Sequence, residues 1–217
     1  MAVVPALVAA LALLASMPLF AQQGEQHMHR RFDDAEKWSK VFDDPARHAW
    51  QKPAEVIAAL KLAADADVAD IGSGTGYFAV RLARALPRGR VYGADVEPDM
   101  VRFLNGRAVR EGLANLSSHI AGDDSPNLPA AVDLALVVDT YHHIPNRTRY
   151  FDRLKLALKP GGRVAIVDFR LDSPTGPPRE HRIAPEQVKA EMDRAGYRLT
   201  NEPGFLPYQY FLVFAPR

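Results

Sequence analysis

Short apolar segments alternate with amphipathic ones between residues 68 and 169. Apolar runs of four to seven residues predict buried strands, and longer runs with apolar positions three or four residues apart predict helices. This alternation is typical of βαβ units, which form a parallel sheet covered by helices on both faces. The predicted strands are Val68–Ile71, Arg90–Ala94, Ser118–Ala121, Asp133–Val138 and Arg163–Phe169, and the helices between them are Tyr77–Leu86, Pro98–Glu111 and Thr148–Leu158.

The C-terminal segment has a different pattern. A helix is predicted over Pro185–Ala195, followed by strands at Tyr197–Asn201 and Gln209–Phe214. The short connection "EPGFLP" permits an antiparallel pair of strands and not a crossover. We therefore predict an α/β fold with a doubly wound sheet of seven strands, parallel except for the last.

The segment before the first strand divides into three parts. Residues 1–21 are predicted to be a signal peptide or membrane anchor, because residues 2–21 contain no charged side chain. Residues 22–52 contain two phrases, "RFDDAEKW" and "VFDDPARHAW", in which aspartates precede helical runs and are best read as helix caps. A further helix is predicted at about Pro53–Ala64, so that residues 53–217 form the main domain.

The apolar leader leaves two interpretations open. Export to a periplasmic or secreted location, or anchoring to a membrane through residues 2–21, is favoured by the hydrophobic length. If translation starts at Met28 instead, the protein is cytoplasmic.

Charge and cysteine content exclude several function classes. The chain has 27 basic and 26 acidic residues, which gives no general attraction for nucleic acid. It has no cysteine, so disulfides, thiolate metal sites and a cysteine nucleophile are ruled out. His27 and His29 have no nearby carboxylate at ligand spacing, and we predict no metal site.

The stretch "VADIGSGTGYFAV" places glycines at alternate positions after the first predicted strand. A nicotinamide-dinucleotide site requires a third glycine where this chain has Tyr77, and no Gly-Lys-Ser/Thr follows as in a phosphate-binding P-loop. Ser73 lies in G-S-G rather than G-x-S-x-G, which makes it a poor nucleophile.

The turn resembles the D/E-x-G-x-G-x-G motif of class I S-adenosylmethionine-dependent methyltransferases, here beginning at Asp70. Four later segments resemble that family in the same order: "VYGADVEPDMV", "AGDDSPNLP", "VDLALVVDTYHHI" and "LKPGGRVAIVDF". Together they cover about Val56 to the C-terminus, and the chain looks most like the small-molecule branch that includes quinone-biosynthesis enzymes. The resemblance implies a Rossmann-like fold, S-adenosyl-L-methionine as cofactor, and residues 22–52 as a helical lid or linker.

The resemblance also implies which residues contact the cofactor. Asp95, at the end of the second predicted strand, would accept hydrogen bonds from both ribose hydroxyls, and its place about 20 residues after the glycine turn suits that role. Val96 would pack on the adenine. A plain helix cap is the alternative for Asp95, a turn residue for Asp123, and a structural brace for Asp70. The implied cofactor-binding residues are Asp70, Gly72, Ser73, Gly74, Gly76, Asp95, Val96, Asp123, Asp124 and Asp139.

The candidates for proton transfer lie in "DTYHHI". Tyr141, His142 and His143 follow the fourth predicted strand, at the edge of the sheet where ligands bind in open α/β folds. The cofactor's methyl group is already activated, so a base is needed only if the acceptor must lose a proton. We predict an enzyme acting on a small-molecule acceptor, with no nucleic-acid partner. The alternative is a non-catalytic sensor or scaffold that binds S-adenosylmethionine.

Overall fold

A computed structural model describes residues 32–217 of the 217-residue chain. Seven strands in these residues form one sheet. They are β1 (Val68–Ile71), β2 (Val91–Asp95), β3 (Leu116–Ile120), β4 (Val132–Val138), β5 (Leu158–Phe169), β6 (Tyr197–Asn201) and β7 (Gln209–Pro216).

Within residues 32–217, seven α-helices accompany the sheet, together with short 3₁₀ turns. The helices are α1 (Ala35–Phe42), α2 (His48–Gln51), α3 (Pro53–Ala59), α4 (Ala79–Ala85), α5 (Pro98–Arg110), α6 (Arg147–Leu154) and α7 (Pro185–Arg194). A 3₁₀ turn over Tyr141–His143 follows β4.

The strand order is β3-β2-β1-β4-β5-β7-β6. β1 pairs in parallel with both β2 and β4, and β7 runs antiparallel to β5 and to β6. The predicted sheet, parallel except for its last strand, is therefore confirmed. The chain winds outward from β1 in both directions, which leaves a crevice at the carboxyl ends of β1 and β4, the usual ligand site of such sheets.

Helices cover both faces of the sheet. On one face α3, α4 and α5 bury Leu60, Leu82 and Leu104 against the strands. On the other face α6 and α7 bury Phe151 and Met192. Strand residues lie buried between these layers, which explains why β1 and β4 are almost continuously apolar in sequence.

The two largest differences from the predicted element boundaries are of five residues each. The predicted helix Pro53–Ala64 is shorter, because Lys61 adopts a left-handed conformation with φ 49°. Pro160, Gly161 and Gly162, which precede the predicted strand Arg163–Phe169, lie inside β5, whose pairing with β4 skips from Leu158 to Arg163. The glycines permit this irregularity, since Gly161 has φ 80°.

The leader and His27–His29 lie outside the described residues. Within residues 32–217, no helix combines the length and apolar character needed to cross a membrane. Export, anchoring and the Met28 start all remain predictions.

Candidate functional site

The glycine turn connects β1 to α4 at the crevice. Gly72, Gly74 and Gly76 all have positive φ, at 70°, 51° and 95°. A Cβ on Gly72 would collide with the Thr140 side chain, and one on Gly76 would collide with Leu104. Larger residues are therefore excluded by both conformation and space. The hydroxyls of Ser73 and Thr75 are buried in the turn without a hydrogen-bond partner.

Asp95 braces this turn from the end of β2. One carboxylate oxygen accepts from the Gly74 amide at 2.8 Å, and the other accepts from the Glu97 amide at 3.0 Å. The side chain is buried, and burial raises its pKa. The hydrogen bond from the Glu97 amide is the contact that the helix-cap alternative implies for Asp95. Each carboxylate oxygen nevertheless keeps a further lone pair that can accept from a ligand.

Asp70 lies beneath the same turn. It is buried, and burial raises its pKa to about 7 against the opposing hydrogen bond from the Ala79 amide. Asp95 raises the pKa further and Arg47 lowers it. Because this pKa lies near neutrality, the ionisation of Asp70 is sensitive to any charge placed beside it.

The side chains expected around adenine differ in their exposure and in their contacts. Val96 is 50% exposed directly after Asp95, and Ile120 at the end of β3 is 45% exposed. Asp123 is exposed on the loop after β3, whereas Asp124 turns to α6 and pairs with Arg153 and, at 3.6 Å, with Arg149. The Asp124 carboxylate therefore belongs to a surface ion-pair group in this structure.

Asp139 ends β4 with φ 54° and joins three segments of the chain. Its carboxylate accepts from Gln51 Nε2 at 2.8 Å, from Arg47 at 3.3 Å, and from Gln209 of β7. Burial raises the pKa of Asp139 to about 6, while the charge of Arg47 opposes that shift. Sequence reasoning did not predict Arg47, Gln51 and Gln209 as partners of Asp139, because they approach it from 70 or more residues away.

His142 and Asp168 form a buried pair beside Asp139. His142 Nδ1 lies 2.9 Å from Asp168 Oδ2, and the two side chains are 5% and 3% exposed. Burial works to lower the pKa of His142, but the charge and hydrogen bond of Asp168 and the charge of Asp139 outweigh it, so the net pKa is raised. Arg147 also opposes the increase. Asp168 was not among the predicted site residues, although its place near the carboxyl end of a parallel strand was an available signal.

The two other candidates in this segment are arranged differently. The His143 ring packs against His142 in a tilted arrangement with centroids 4.1 Å apart. Tyr141 is fully buried, and its hydroxyl donates to Glu191 at 2.7 Å inside the core. Of the three side chains predicted for proton transfer, only the histidines therefore lie together at the crevice.

Residues 32–52 form a strap across the crevice. The Phe42 ring lies 3.5 Å from the position that a Cβ on Gly74 would take, and Phe32 packs against Trp38, Phe42 and His143. The strap is held to α5, because the Ala35 amide donates to Asp99 at 2.7 Å and Asp43 pairs with Arg107 at 2.9 Å. These contacts support the lid interpretation, which stays a prediction.

An open groove of about 870 Å³ lies at the opposite edge of the sheet. It is lined by basic residues, but Lys159 already pairs with Asp67 and Asp133 at 2.8 Å. Ligands of such sheets bind at the carboxyl ends of the strands and not at this edge. The crevice under the strap is therefore the candidate functional site.

A family comparison agrees with this geometry. Residues 62–200 match the model of a family described as a methyltransferase domain, and the match covers more than half of the chain. The chain belongs to this family. The methyltransferase domain thus contains the glycine turn, Asp95, Asp139 and the His142–Asp168 pair, and the class I resemblance found in the sequence is confirmed.

Individual proteins show the same relationship. The chain is 32% identical over 143 residues to trans-aconitate 2-methyltransferase of Rhodopseudomonas palustris, covering 65% of this chain and 52% of that protein. It is 32% identical over 123 residues to 27-O-demethylrifamycin SV methyltransferase of Amycolatopsis mediterranei, covering 54% and 44%. The chain therefore spans about half the length of these curated relatives.

A solved structure covers more of the molecule. A SAM-dependent methyltransferase from Aquifex aeolicus superimposes with a TM-score of 0.77 at 25% identity, covering 83% of this chain and 97% of that one. The Rossmann-like methyltransferase fold predicted for the domain is confirmed.

Proposed function

We propose that this protein transfers the methyl group of S-adenosylmethionine to a small molecule that carries an ionisable hydroxyl, with His142 as the general base. The observation that carries the proposal is the contact between His142 Nδ1 and Asp168 at 2.9 Å. A carboxylate at Nδ1 holds a proton on that nitrogen and leaves Nε2 as the acceptor nitrogen. Methyl transfer to a thioether or to an ionised group would need no such base.

The crevice fits the cofactor that the family implies. Gly72, Gly74 and Gly76 let the turn close tightly at the carboxyl end of β1, and the unpartnered hydroxyls of Ser73 and Thr75 are buried in it. Asp95 retains acceptor capacity for ribose hydroxyls. The exposed side chain of Val96 offers an apolar contact for adenine, and Asp70 offers a carboxylate for the methionine ammonium.

When bound, the cofactor supplies an electrophilic methyl group on a sulfonium. The tasks left to the chain are to bind, to align the acceptor and to remove its proton, because such a displacement depends chiefly on proximity and orientation. His142 Nε2 takes the acceptor's proton. Asp168 and Asp139 stabilise the imidazolium that results, since both raise the pKa of His142.

Aromatic side chains of the strap and of neighbouring segments support a small and partly apolar acceptor. The Trp50 ring lies 5.6 Å from Phe169 and 6.5 Å from Tyr208, measured between centroids. Together with Phe32 and Phe42 of the strap, these rings give the crevice apolar walls that limit access of water. The non-catalytic alternative is not favoured, because a sensor needs no buried histidine–carboxylate pair.

Methyl transfer from radiolabelled S-adenosylmethionine tests the proposal. The full chain is screened against a panel of phenols, enols and hydroxy acids, each beside its methyl ether. With any acceptor found, His142→Gln and Asp168→Asn are expected to lower kcat roughly 10²- to 10⁴-fold while cofactor binding is retained. His181→Gln, at an exposed 3₁₀ turn, is the matched control. Equal transfer by His142→Gln and by the control would contradict the base assignment.

A further inference from the structure

The Glu191 carboxylate, on α7, contacts both ends of the loop that carries His142 and His143. Glu191 of α7 accepts from the Tyr141 hydroxyl at 2.7 Å, from Arg147 Nε at 2.6 Å and from Arg147 Nη2 at 3.1 Å. Gln187, one turn earlier on α7, donates to the same carboxylate at 2.9 Å. We call these four residues the Glu191 clasp.

The clasp is buried and its hydrogen bonds are well satisfied. Tyr141 is 0% exposed, and the side chains of Glu191 and Arg147 are 9% and 12% exposed. Four donors occupy the four lone-pair directions of the carboxylate, and the paired contact with Arg147 is bidentate. A buried pair of this kind holds its two side chains in one arrangement more strictly than a surface ion pair does, because water cannot replace either partner.

The same residues are also packed. The Tyr141 ring stacks on Phe151 with centroids 5.3 Å apart, and the Arg147 guanidinium lies 5.5 Å from the Tyr141 ring. Tyr141 begins the loop and Arg147 begins α6. Both ends of residues 141–147 are therefore fixed to α7 from behind the crevice.

His142 follows the first of these fixed points directly. Its amide donates to Asp168 Oδ2 at 3.4 Å, and its ring nitrogen meets the same carboxylate. Because the Tyr141 hydroxyl is fixed on Glu191 in the core and His142 is the next residue, the position of Tyr141 constrains the backbone from which His142 meets Asp168.

We propose that Glu191 is a positioning residue, which acts through Tyr141 and Arg147 to hold His142 against Asp168. Its catalytic consequence rests on the function proposed above, whereas its effect on His142 is a property of the folded chain. A merely structural role for the clasp would stabilise the protein and leave His142 unaffected.

The chain offers a matched control for this distinction. Tyr197 is also 0% exposed, lies in the same core layer, and donates its hydroxyl to the Phe151 carbonyl at 3.0 Å. Tyr197→Phe and Tyr141→Phe each remove one buried hydroxyl and one hydrogen bond. Only the second removes a contact with the loop that carries His142.

The closing experiment titrates His142 by NMR in the full chain labelled on histidine, with the resonance assigned from its absence in His142→Gln. In Tyr141→Phe we expect the His142 titration to move to lower pH than in wild type, because the contact with Asp168 loosens. Glu191→Gln should move it in the same direction, there also because the charge of Arg147, which lowers the pKa of His142, loses its counter-charge. Tyr197→Phe should titrate like wild type. Tyr141→Phe keeps the charge of Glu191, so the His142 titration in this variant alone tests the proposal if Glu191→Gln does not fold.

A kinetic measurement adds the catalytic consequence. Tyr141→Phe should lower kcat about tenfold with the KM for S-adenosylmethionine unchanged, since a displaced base impairs the chemical step more than cofactor binding. Unchanged titration of His142 in both clasp variants would overturn the proposal. If the wild-type chain transfers no methyl group, the proposed function fails, and the NMR titration still decides whether the clasp positions His142.

Discussion

Asp95 has a double role at the scale of single residues. It braces Gly74 and Glu97 and retains acceptor capacity for ribose. Asp95→Ala removes two hydrogen bonds to a charged acceptor, each expected to contribute about 1.5–3 kcal/mol in a buried site, so the affinity for S-adenosylmethionine should fall roughly a hundredfold or more. Calorimetric titration measures this loss, with the thermal melt confirming a folded variant. Asp172→Ala, at a largely exposed carboxylate, is the control, and equal affinities in both variants would contradict the ribose role.

Asp70 predicts a pH dependence of cofactor binding. Its pKa is about 7 because it is buried, with Asp95 and Arg47 as the charged groups that also affect it. A cationic methionine ammonium prefers the ionised carboxylate, so affinity should increase as pH rises from about 5.5 to 8, by at most about tenfold per unit below the pKa. Calorimetry across this range measures the trend. Asp70→Asn should bind more weakly and lose most of the pH dependence, and a slope that persists in the variant would assign it to another group.

Some of these residues were predictable and others were not. The glycine turn, Asp70 and Asp95 occur at fixed spacing within one βαβ unit, so the motif alone located them. Asp168, Gln51 and Gln209 come from separate segments that only the tertiary fold brings together. The two adjacent histidines were equivalent in sequence, and only the contact with Asp168 distinguishes His142.

At the scale of secondary-structure elements, the strap is the feature whose contacts were least predictable. Its aspartates were read as helix caps, and Asp34 and Asp44 do cap the turns that follow them. Asp43, however, pairs with Arg107 of α5, a contact between residues 64 apart that no local pattern indicates. The strands, by contrast, were all located, the central ones because buried parallel strands are apolar along their whole length.

The Phe42 ring provides a test of the strap. Phe42→Ala removes the aromatic contact with the glycine turn at Gly74, and the loss of about 1 kcal/mol of apolar burial should raise the dissociation rate of S-adenosylmethionine about fivefold. Val41, the next residue along, is 56% exposed, so Val41→Ala is the matched control. Stopped-flow displacement measures the rates, and limited proteolysis should cut residues 32–52 faster in Phe42→Ala. Equal behaviour of the two variants would mean that the strap does not cover the bound cofactor.

At the scale of the whole molecule, residues 1–31 raise a question that the fold does not answer. An exported domain would have to find S-adenosylmethionine outside the compartment where it is made. We propose that one of three cases applies: residues 2–21 anchor a domain that faces the cytoplasm, translation starts at Met28, or an exported domain uses its cofactor site differently. Fractionation of the native protein with N-terminal sequencing separates these cases. A mature N-terminus at Gln22 in an exported fraction would contradict the first two.

The buried carboxyl group of Asp70 in the candidate site makes the stability of the folded chain depend on pH. Because burial raises the pKa of Asp70 from 3.8 to about 7, the folded state binds this proton more tightly than the unfolded state. The contribution of Asp70 to stability therefore falls as pH rises from about 4 to about 7 and is constant above that range. Each pKa unit corresponds to about 1.4 kcal/mol, which sets a ceiling of roughly 4 kcal/mol on the effect.

Asp70→Asn removes this titration and keeps the shape of the side chain. In the absence of cofactor, we expect the variant to be more stable than wild type by roughly 2 kcal/mol at pH 8, with the difference shrinking towards pH 4. Urea unfolding at several pH values measures it, and the groups that titrate alike in both chains cancel in the comparison. A difference independent of pH would show that Asp70 is ionised throughout. The expected pattern, a substitution that stabilises the fold and weakens cofactor binding, would mark Asp70 as a residue retained for function.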